Sequence, residues 1–400
     1  MTSPPRWIWQ HPDWPALTHD ASQTASDLAQ AYVMHGIVEG KSAAIGLGST
    51  STLALDAMSE EVVATAAIEG ERLSPETVRS SVMRRLGLAH DGPQDRHIDG
   101  LVALINDATS ALAQPLDEDR LCRWHSALFP GGTSGPQRIA VGRYRDHEDP
   151  MQIVSGAPGR EIVHYEAPPS AAVRAHMQRF LTWFNATRPT ELPTQRERPI
   201  DGLARAAVAH LWFESIHPFE DGNGRLGRAI ADMALAQHLR PPVRLYSLSK
   251  QLLSCRGAYY DALNQAQRGG PDVTPWVQWF VRQCAAAYGS ASKAIDQALE
   301  RQRFCVQHEA APLHERQRKV LHRLLDAGDG GFLGGLNAEK YMKMTGVSKA
   351  TATRDLSSML GGGQLVSHGQ GKALRYYVNM PGWTHGLTVN TDQALPPFDG

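Results

Sequence analysis

The run Ile216-His217-Pro218-Phe219-Glu220-Asp221-Gly222-Asn223-Gly224-Arg225-Leu226-Gly227-Arg228 concentrates the side chains that could do chemistry. His217 is an imidazole, able to act as a general base near neutral pH. Asp221 offers a hard oxygen of the kind Mg²⁺ takes together with substrate phosphates. Gly222-Asn223-Gly224 lets the backbone turn with N–H groups pointing inward, and such a nest at the start of a helix is an anion site. Arg225 and Arg228, three apart, add a planar cationic fork suited to phosphate oxygens. Taken singly, each residue has an ordinary structural use, as a helix cap or a turn. In this order they are the inventory for moving a phosphorus-centred group from a polyphosphate to a hydroxyl.

Two helices must hold this loop. Ile200 to Ser215 is the most apolar helical stretch of the chain, with Leu203, Ala206, Ala207, Ala209, Leu211, Trp212 and Phe213, and most of its surface can be buried. Pro218 disfavours helical geometry in the residue before it, which ends that helix at His217. The next helix is expected to begin near Arg225 or Leu226 and carries Ile230, Met233 and Leu235. Other helical patterns run from Ser22 to Val38, Thr52 to Ala67, Ile98 to Leu112, Glu118 to Leu128 and Ala171 to Asn185, with Gly46 to Thr52 breaking the first from the second. Pro150 to Pro169 stands out among them. Met151-Gln152-Ile153-Val154 and Glu161-Ile162-Val163-His164-Tyr165 flank a Gly/Pro turn and read as a hairpin. A hairpin isolated among helices exposes an edge on which a peptide can dock, or is a plain surface feature.

Composition excludes several classes. The chain has 400 residues, 42% apolar and 20% charged, with a formal net charge of −1. That is ordinary globular usage, enough for two to four domains, and bulk charge does not make it a polyanion binder. Cys122, Cys255, Cys284 and Cys305 stand far apart with no C-x-x-C pair, which argues against a zinc knuckle or redox dithiol and fits a reducing compartment. There is no spanning apolar run, and the Trp- and Pro-rich start to Leu17 does not read as a signal peptide. A soluble cytoplasmic protein is expected, with no membrane partner.

The loop resembles the signature of the Fic family (filamentation induced by cyclic AMP), His-Pro-Phe-x-Asp-Gly-Asn-Gly-Arg-x-x-Arg, with every fixed position filled. Gly142-Arg143-Tyr144-Arg145 and the hairpin resemble the family's flap region. Ser247-Leu248-Ser249, Tyr259-Tyr260-Asp261-Ala262-Leu263 and Asp272-Val273-Thr274-Pro275-Trp276 resemble its later helices. The resemblance covers about 110 to 290 and implies a mainly α, all-helical core with a β-hairpin flap. It implies protein AMPylation: transfer of AMP from ATP, with Mg²⁺, to a Ser, Thr or Tyr hydroxyl of a protein, the enzyme itself included. Carried over by position, His217 would deprotonate the hydroxyl and Asp221 would hold Mg²⁺. The ATP site would be formed by Gly222, Asn223, Gly224, Arg225, Leu226, Gly227 and Arg228, with Arg228 reaching the γ-phosphate. Phe219 would anchor the core, Tyr260 and Asn264 would line the adenine side, and Met151, Gln152, Ile153 and Val154 would align the target.

Upstream, Thr65-Ala66-Ala67-Ile68-Glu69-Gly70 places Thr65 and Glu69 on one helix face, with Gly70 as the cap. By itself this is a common helix end. Beside the signature it resembles the family's inhibitory motif, in which the glutamate pairs with the second signature arginine, here Arg228, and forces ATP into an unproductive pose. The end of the chain changes character. His314 to Leu325, Asn337 to Met344 and Ser348 to Leu360 read as helices, and Gln364 to Val366 with Leu374 to Val378 as a hairpin. Helix-turn-helix then hairpin is a winged-helix pattern. Residues 311–380 carry ten Lys or Arg against five Asp or Glu, so DNA is one partner this module could take; a docking or dimer module is another, which leaves a homodimer open. The expected domains are 1–88, with an inhibitory helix over about 52–70; 89–290, catalytic; 291–380, winged helix; and a tail over 381–400. Two alternatives remain: removal of AMP, with Glu69 orienting a water, and a nucleotide-sensing DNA-binding regulator.

Overall fold

The computed structural model describes residues 5–45, 47–89, 91–155, 160, 162–189, 200–240, 243–327 and 332–380. The turn at Gly156 to Gly159, most of the polar loop before Pro199 and the tail from Pro381 lie outside the described residues. Among these residues the chain has fourteen α-helices, two single-turn 3-10 helices and six short strands. It divides into two compact units, Met1–Ser292 and Lys293–Gly400.

In the first unit α1 (Ala21–Ala44) starts where the Asp20 carboxylate accepts from the Ser22 and Gln23 amides. Next comes α2 (Leu47–Ile68), so the expected break over Gly46 to Thr52 is narrower than its composition suggests. Gly48 to Ser51 lie inside α2, where the Thr52 hydroxyl bonds back to the Gly48 carbonyl. Packing of α2 decides this against weak local propensity. Then follow α3 (Pro75–Arg85), α4 (Arg96–Ser110) and α5 (Glu118–Leu128), capped by Ser74, Asp95 and Asp117. The two-residue strands β1 (Thr133–Ser134) and β2 (Gln137–Arg138) form a small clip. Antiparallel β3 (Gln152–Ser155) and β4 (Ile162–Glu166) follow, with Ile153 opposite Tyr165 and a register shift after Ile153.

The hairpin is less isolated than the sequence suggests. Tyr165 is fully buried, donates to the Ser215 carbonyl at 2.6 Å and meets Trp7 edge-on at 5.3 Å. Trp9 donates to the Glu166 carbonyl. The Trp-rich start therefore anchors the hairpin's root, while Val154 and Ile162 are exposed.

The core is formed by α6 (Ser170–Ala186), α7 (Gly202–Ile216) and α8 (Asn223–Leu239), with α7 packing chiefly on α8. Every residue of α7 is buried. Around them lie α9 (Leu248–Ser254), α10 (Arg256–Gln267) and the first part of the long α11 (Thr274–Gln307), whose residues from Lys293 belong to the second unit. α2 is tied to this core by a buried polar knot. Glu61 accepts from Ser247 Oγ, the Ser249 amide and Arg244, and Arg244 also holds Asp232 at 3.0 Å.

The second unit has its own core of Val320, Leu324, Tyr341, Leu356, Met359 and Val378 among others. It comprises α12 (Glu315–Leu325), α13 (Ala338–Thr345), α14 (Lys349–Gly361) and the antiparallel pair β5 (Leu365–His368) and β6 (Arg375–Val378). Leu336 bridges to Tyr376 of β6. No described helix is long and apolar enough to cross a membrane.

Candidate active site

His217 caps α7 in the left-handed region, φ 49°, a conformation rare for a residue with a Cβ and held only where its surroundings demand it. Arg145 makes that demand. Its Nε donates to the His217 carbonyl at 2.8 Å and its terminal nitrogens to the carbonyls of Pro168 and Ile216 and to Ser170 Oγ. Its own amide donates to the Pro218 carbonyl. With carbonyls rather than a carboxylate for partners, burial lowers the Arg145 guanidinium to about 10. Burial, assisted by the Arg145 charge, lowers His217 to about 4, so its imidazole is neutral at physiological pH.

From Pro218 the chain turns back through Asn223. Its side chain accepts from the Phe219 amide at 2.9 Å and donates to the Phe219 carbonyl at 2.8 Å. The loop is closed upon itself before any ligand arrives. Below it, Phe219 is fully buried and stacks on His125 at 4.2 Å. His125 Nδ1 accepts from the Gly142 amide and Nε2 donates to the Asp221 carbonyl. Burial lowers this imidazole to about 4, and the neutral ring serves both bonds.

Gly222, φ 78°, is the N-cap of α8, which has no side-chain cap. α8 starts at Asn223, two to three residues earlier than the spacing of apolar residues suggests. Asn223, Gly224 and Arg225 thus form its first turn, whose amides have no intrahelical partner. A Cβ on Gly224 would lie 2.3 Å from Glu69 Oε1, so the Glu69 carboxylate rests against this turn. Asp221 keeps 43% of its side chain exposed; its oxygens meet the Gly222 amide and Ser134 Oγ.

Glu69 and Arg228, 159 positions apart, form an ion pair of 2.7 Å. Arg228 Nε also donates to Thr65 Oγ1 at 2.8 Å, and NH2 to the Thr65 carbonyl at 3.0 Å. Gly70, φ 86°, ends α2 with a Schellman turn: its amide meets the Ala67 carbonyl and the Glu71 amide meets that of Ala66. Tyr260 donates to the Ile68 carbonyl at 3.3 Å. His217, Asp221, the first turn of α8, both arginines, Thr65, Glu69, Gly70 and Tyr260 are thereby brought together. Asn264 sits half-buried one turn along α10. Leu226 is wholly buried, and a Cβ on Gly227 would strike Glu214 and His210; both belong to the packing of α7 on α8 rather than to an open ligand surface. Met151 to Val154 stand on the hairpin, β3 pairing only with β4 among the described residues.

Five further residues escape a reading by spacing. His125 and His97 carry no local signal, and Arg145 enters the sequence reading only within Gly142-Arg143-Tyr144-Arg145, without a role. Glu71 pairs with Arg225 at 3.0 Å, so both arginines expected to be an open fork already hold a carboxylate. Glu214 sits one turn before His217, and its Oε2 is 3.8 Å from His217 Nδ1. Its Oε1 has no hydrogen-bond partner, and burial raises the carboxyl to about 8. An acid three residues before His217, on a buried helix whose other charged residue is Arg205, was its available signal. Among the described residues no cluster of three or more His, Cys, Asp or Glu could hold a metal. Asp221 alone suits an ion that takes most of its ligands from a bound phosphate and water.

The model of the Fic/DOC family matches residues 115–235, and that of DUF4172, a domain of unknown function, matches 7–88. Protein adenylyltransferase Fic of Drosophila virilis is 33% identical over 143 residues, 36% of this chain and 26% of that protein. Protein adenylyltransferase fic-1 of Caenorhabditis elegans is 34% identical over 88 residues, 22% of this chain and 16% of that one. The chain thus spans about a quarter or less of the curated relatives it matches. Among solved structures, a Fic family protein from Desulfovibrio desulfuricans G20 aligns at 20% identity and TM-score 0.48, over 90% of this chain and 97% of that one. Fic-1 (residues 134–508) from C. elegans aligns at 20% and 0.49, over 68% and 74%.

Proposed function

We propose that the chain, whose residues 115–235 match the model of the Fic/DOC family, transfers AMP from ATP to a hydroxyl of a protein, itself included, and that Glu69 restrains it. The observation that carries this reading is the juxtaposition at the start of α8: a neutral His217 beside a helix turn with open amides and two buried arginines. In the proposed reaction the target oxygen attacks the α-phosphorus of ATP. The bond from that phosphorus to the bridging oxygen breaks, and pyrophosphate leaves with the electron pair. His217 takes the hydroxyl proton. The amides of Asn223, Gly224 and Arg225, and the two arginines once their carboxylates leave, receive the phosphates. Mg²⁺, held by Asp221, would neutralise phosphate charge. Tyr260 and Asn264 border the adenine, and the edge of β3 aligns the target segment by strand addition.

The test is incorporation of label from α-³²P-ATP by wild type, Glu69→Gly, and Glu69→Gly with His217→Ala. The reading requires label in Glu69→Gly that vanishes with His217→Ala; no label in any of the three refutes it. Removal of AMP is the second reading, favoured by the placement of Glu69 against the α8 turn, where it could orient a water. In that case Glu69→Gly loses the ability to strip AMP from a modified protein.

A further inference from the structure

The Schellman turn at Gly70 places two acids, not one, against the signature helix. Glu69 lies on one side of the glycine and Glu71 on the other. Glu69 holds Arg228, and Glu71 Oε1 holds Arg225 NH1 at 3.0 Å. Arg225 is buried over the Phe129 ring at 5.0 Å, and its Nε has no protein partner. The guanidinium is thus only partly used and keeps a buried donor for another acceptor. Glu71 Oε2 in turn lies 3.0 Å from His97 Nε2, and His97 Nδ1 lies 2.7 Å from the Leu128 carbonyl. Both ring nitrogens face acceptors, so only the doubly protonated imidazolium satisfies both.

We propose that Glu71 is a second inhibitory acid, which occupies Arg225 as Glu69 occupies Arg228 and is itself held in place by His97. This rests on the reading of the site as an ATP site. Its consequence is that a triphosphate has to displace two carboxylates carried on one turn, so relieving either lock alone leaves the other standing.

The buttress gives the second lock a pH dependence. The Glu71 carboxylate, foremost, raises His97 above its ordinary value, and the His97 contact lowers Glu71. Besides Glu71 from the α2–α3 connection, the charged group facing His97 is Arg225 of α8, which opposes its proton. Asp99 of the same helix is taken by Arg84 and Ser81 of α3. A base whose folded value is raised contributes fully below its ordinary value near 6.5 and is lost as pH climbs through the raised value. The second lock is therefore firm below about pH 6.5 and loosens above it.

The experiment measures Mg-ATP affinity by titration calorimetry in a His217→Ala background, where no chemistry occurs, for Glu71→Gln, Glu69→Gly and the pair. Glu71→Gln should tighten binding by about tenfold, the low end for one charge-assisted hydrogen bond, because the Glu71 side chain is partly exposed to water. The pair should tighten it beyond either single change. The rise in affinity from pH 6 to 8 should flatten in Glu71→Gln. Should that variant not fold, His97→Gln, which removes the buttress alone, must show the same flattening. Affinity unchanged by Glu71→Gln, or an undiminished pH response, overturns the proposal. Labelling by Glu69→Gly keeps the two readings apart: if it labels while Glu71→Gln changes nothing, only the second lock falls; if it does not label, the AMP-transfer reading falls.

Discussion

Replacing Glu69 with Gly should raise auto-AMPylation about tenfold, and the size follows from the contacts of Arg228. The guanidinium has three described hydrogen bonds: two to Thr65, through Oγ1 and the carbonyl, and one to Glu69. The substitution removes the third and leaves the two that fix the side chain, so Arg228 stays aimed and becomes free to bind phosphate. A hydrogen bond to a charged group is worth roughly 1.5–3 kcal/mol. The Glu69 side chain is 31% exposed, and water screens it, which favours the low end. About 1.4 kcal/mol is a factor of ten. Removing the carboxylate also clears a negative charge from the first turn of α8, where a phosphate would sit. Arg228→Ala should not reproduce the gain, because it deletes the phosphate contact along with the lock. The assay is the initial rate of AMP incorporation at subsaturating ATP. A Glu69→Gly protein that melts as a folded chain, binds ATP and labels no faster than wild type refutes the reasoning.

Four other outcomes are expected. With burial holding His217 at about 4, the acid limb of the labelling rate should lie well below pH 6.5. His217→Ala should cost roughly 10²–10⁴-fold in rate without loss of ATP binding; a limb centred at 6.5 contradicts the assigned environment. Glu214 is raised to about 8 by burial, so the folded state keeps a proton that the unfolded chain has lost. Stability therefore falls as pH rises from about 4.5 to 8, by at most about 5 kcal/mol. Glu214→Gln should shrink the drop in melting temperature between pH 5 and 8, with buried Asp232, raised to about 7, keeping its own share, and an unchanged drop argues against the buried acid. In the second unit the carboxylate of α14, Asp355, is turned inward onto Arg316 and Tyr341, while Lys349, Thr353 and Arg354 are exposed, as is Lys372 before β6. If this unit reads duplex DNA, alanine at Lys349, Arg354 and Lys372 should shrink the slope of log K against log salt by about 3. Absence of salt-dependent binding by the full chain assigns the unit to another partner.

The signature loop was legible because its logic is local. Pro218 ends α7, glycines turn the chain, and the arginines follow at helical spacing. The mainly helical architecture was legible for the same reason, since α4 and α5 carry strong period and plain caps, and α7 an unbroken apolar run behind its Asp201 cap. What escaped is what only tertiary folding creates. No spacing rule joins Arg145 to the His217 carbonyl or His125 to Phe219. Glu71 looks like an ordinary residue after a helix end until α8 brings Arg225 to it. The start of α2 was misplaced because Gly, Ser and Thr argue against helix locally, whereas packing and a back-bonded Thr52 sustain it. The hairpin looked unsupported because its support comes from Trp7 and Trp9, some 150 residues earlier.

If Glu69 restrains the chain as proposed, the knot at Glu61 has a consequence for how that restraint can be lost over evolutionary time. An inhibitory segment on a loose tether is easily shed by proteolysis or a shifted start codon. Here Val62, Ala66 and Ile68 are fully buried, Trp7 and Ile8 nearly or wholly so, and Glu61 holds Arg244 beside Asp232. A truncated chain would bare an apolar wall and leave Asp232 and Arg244 without their third partner, and such a remnant would tend to aggregate before it could work unrestrained. Unbridled variants should therefore arise as single substitutions at the Gly70 turn, and rarely as deletions.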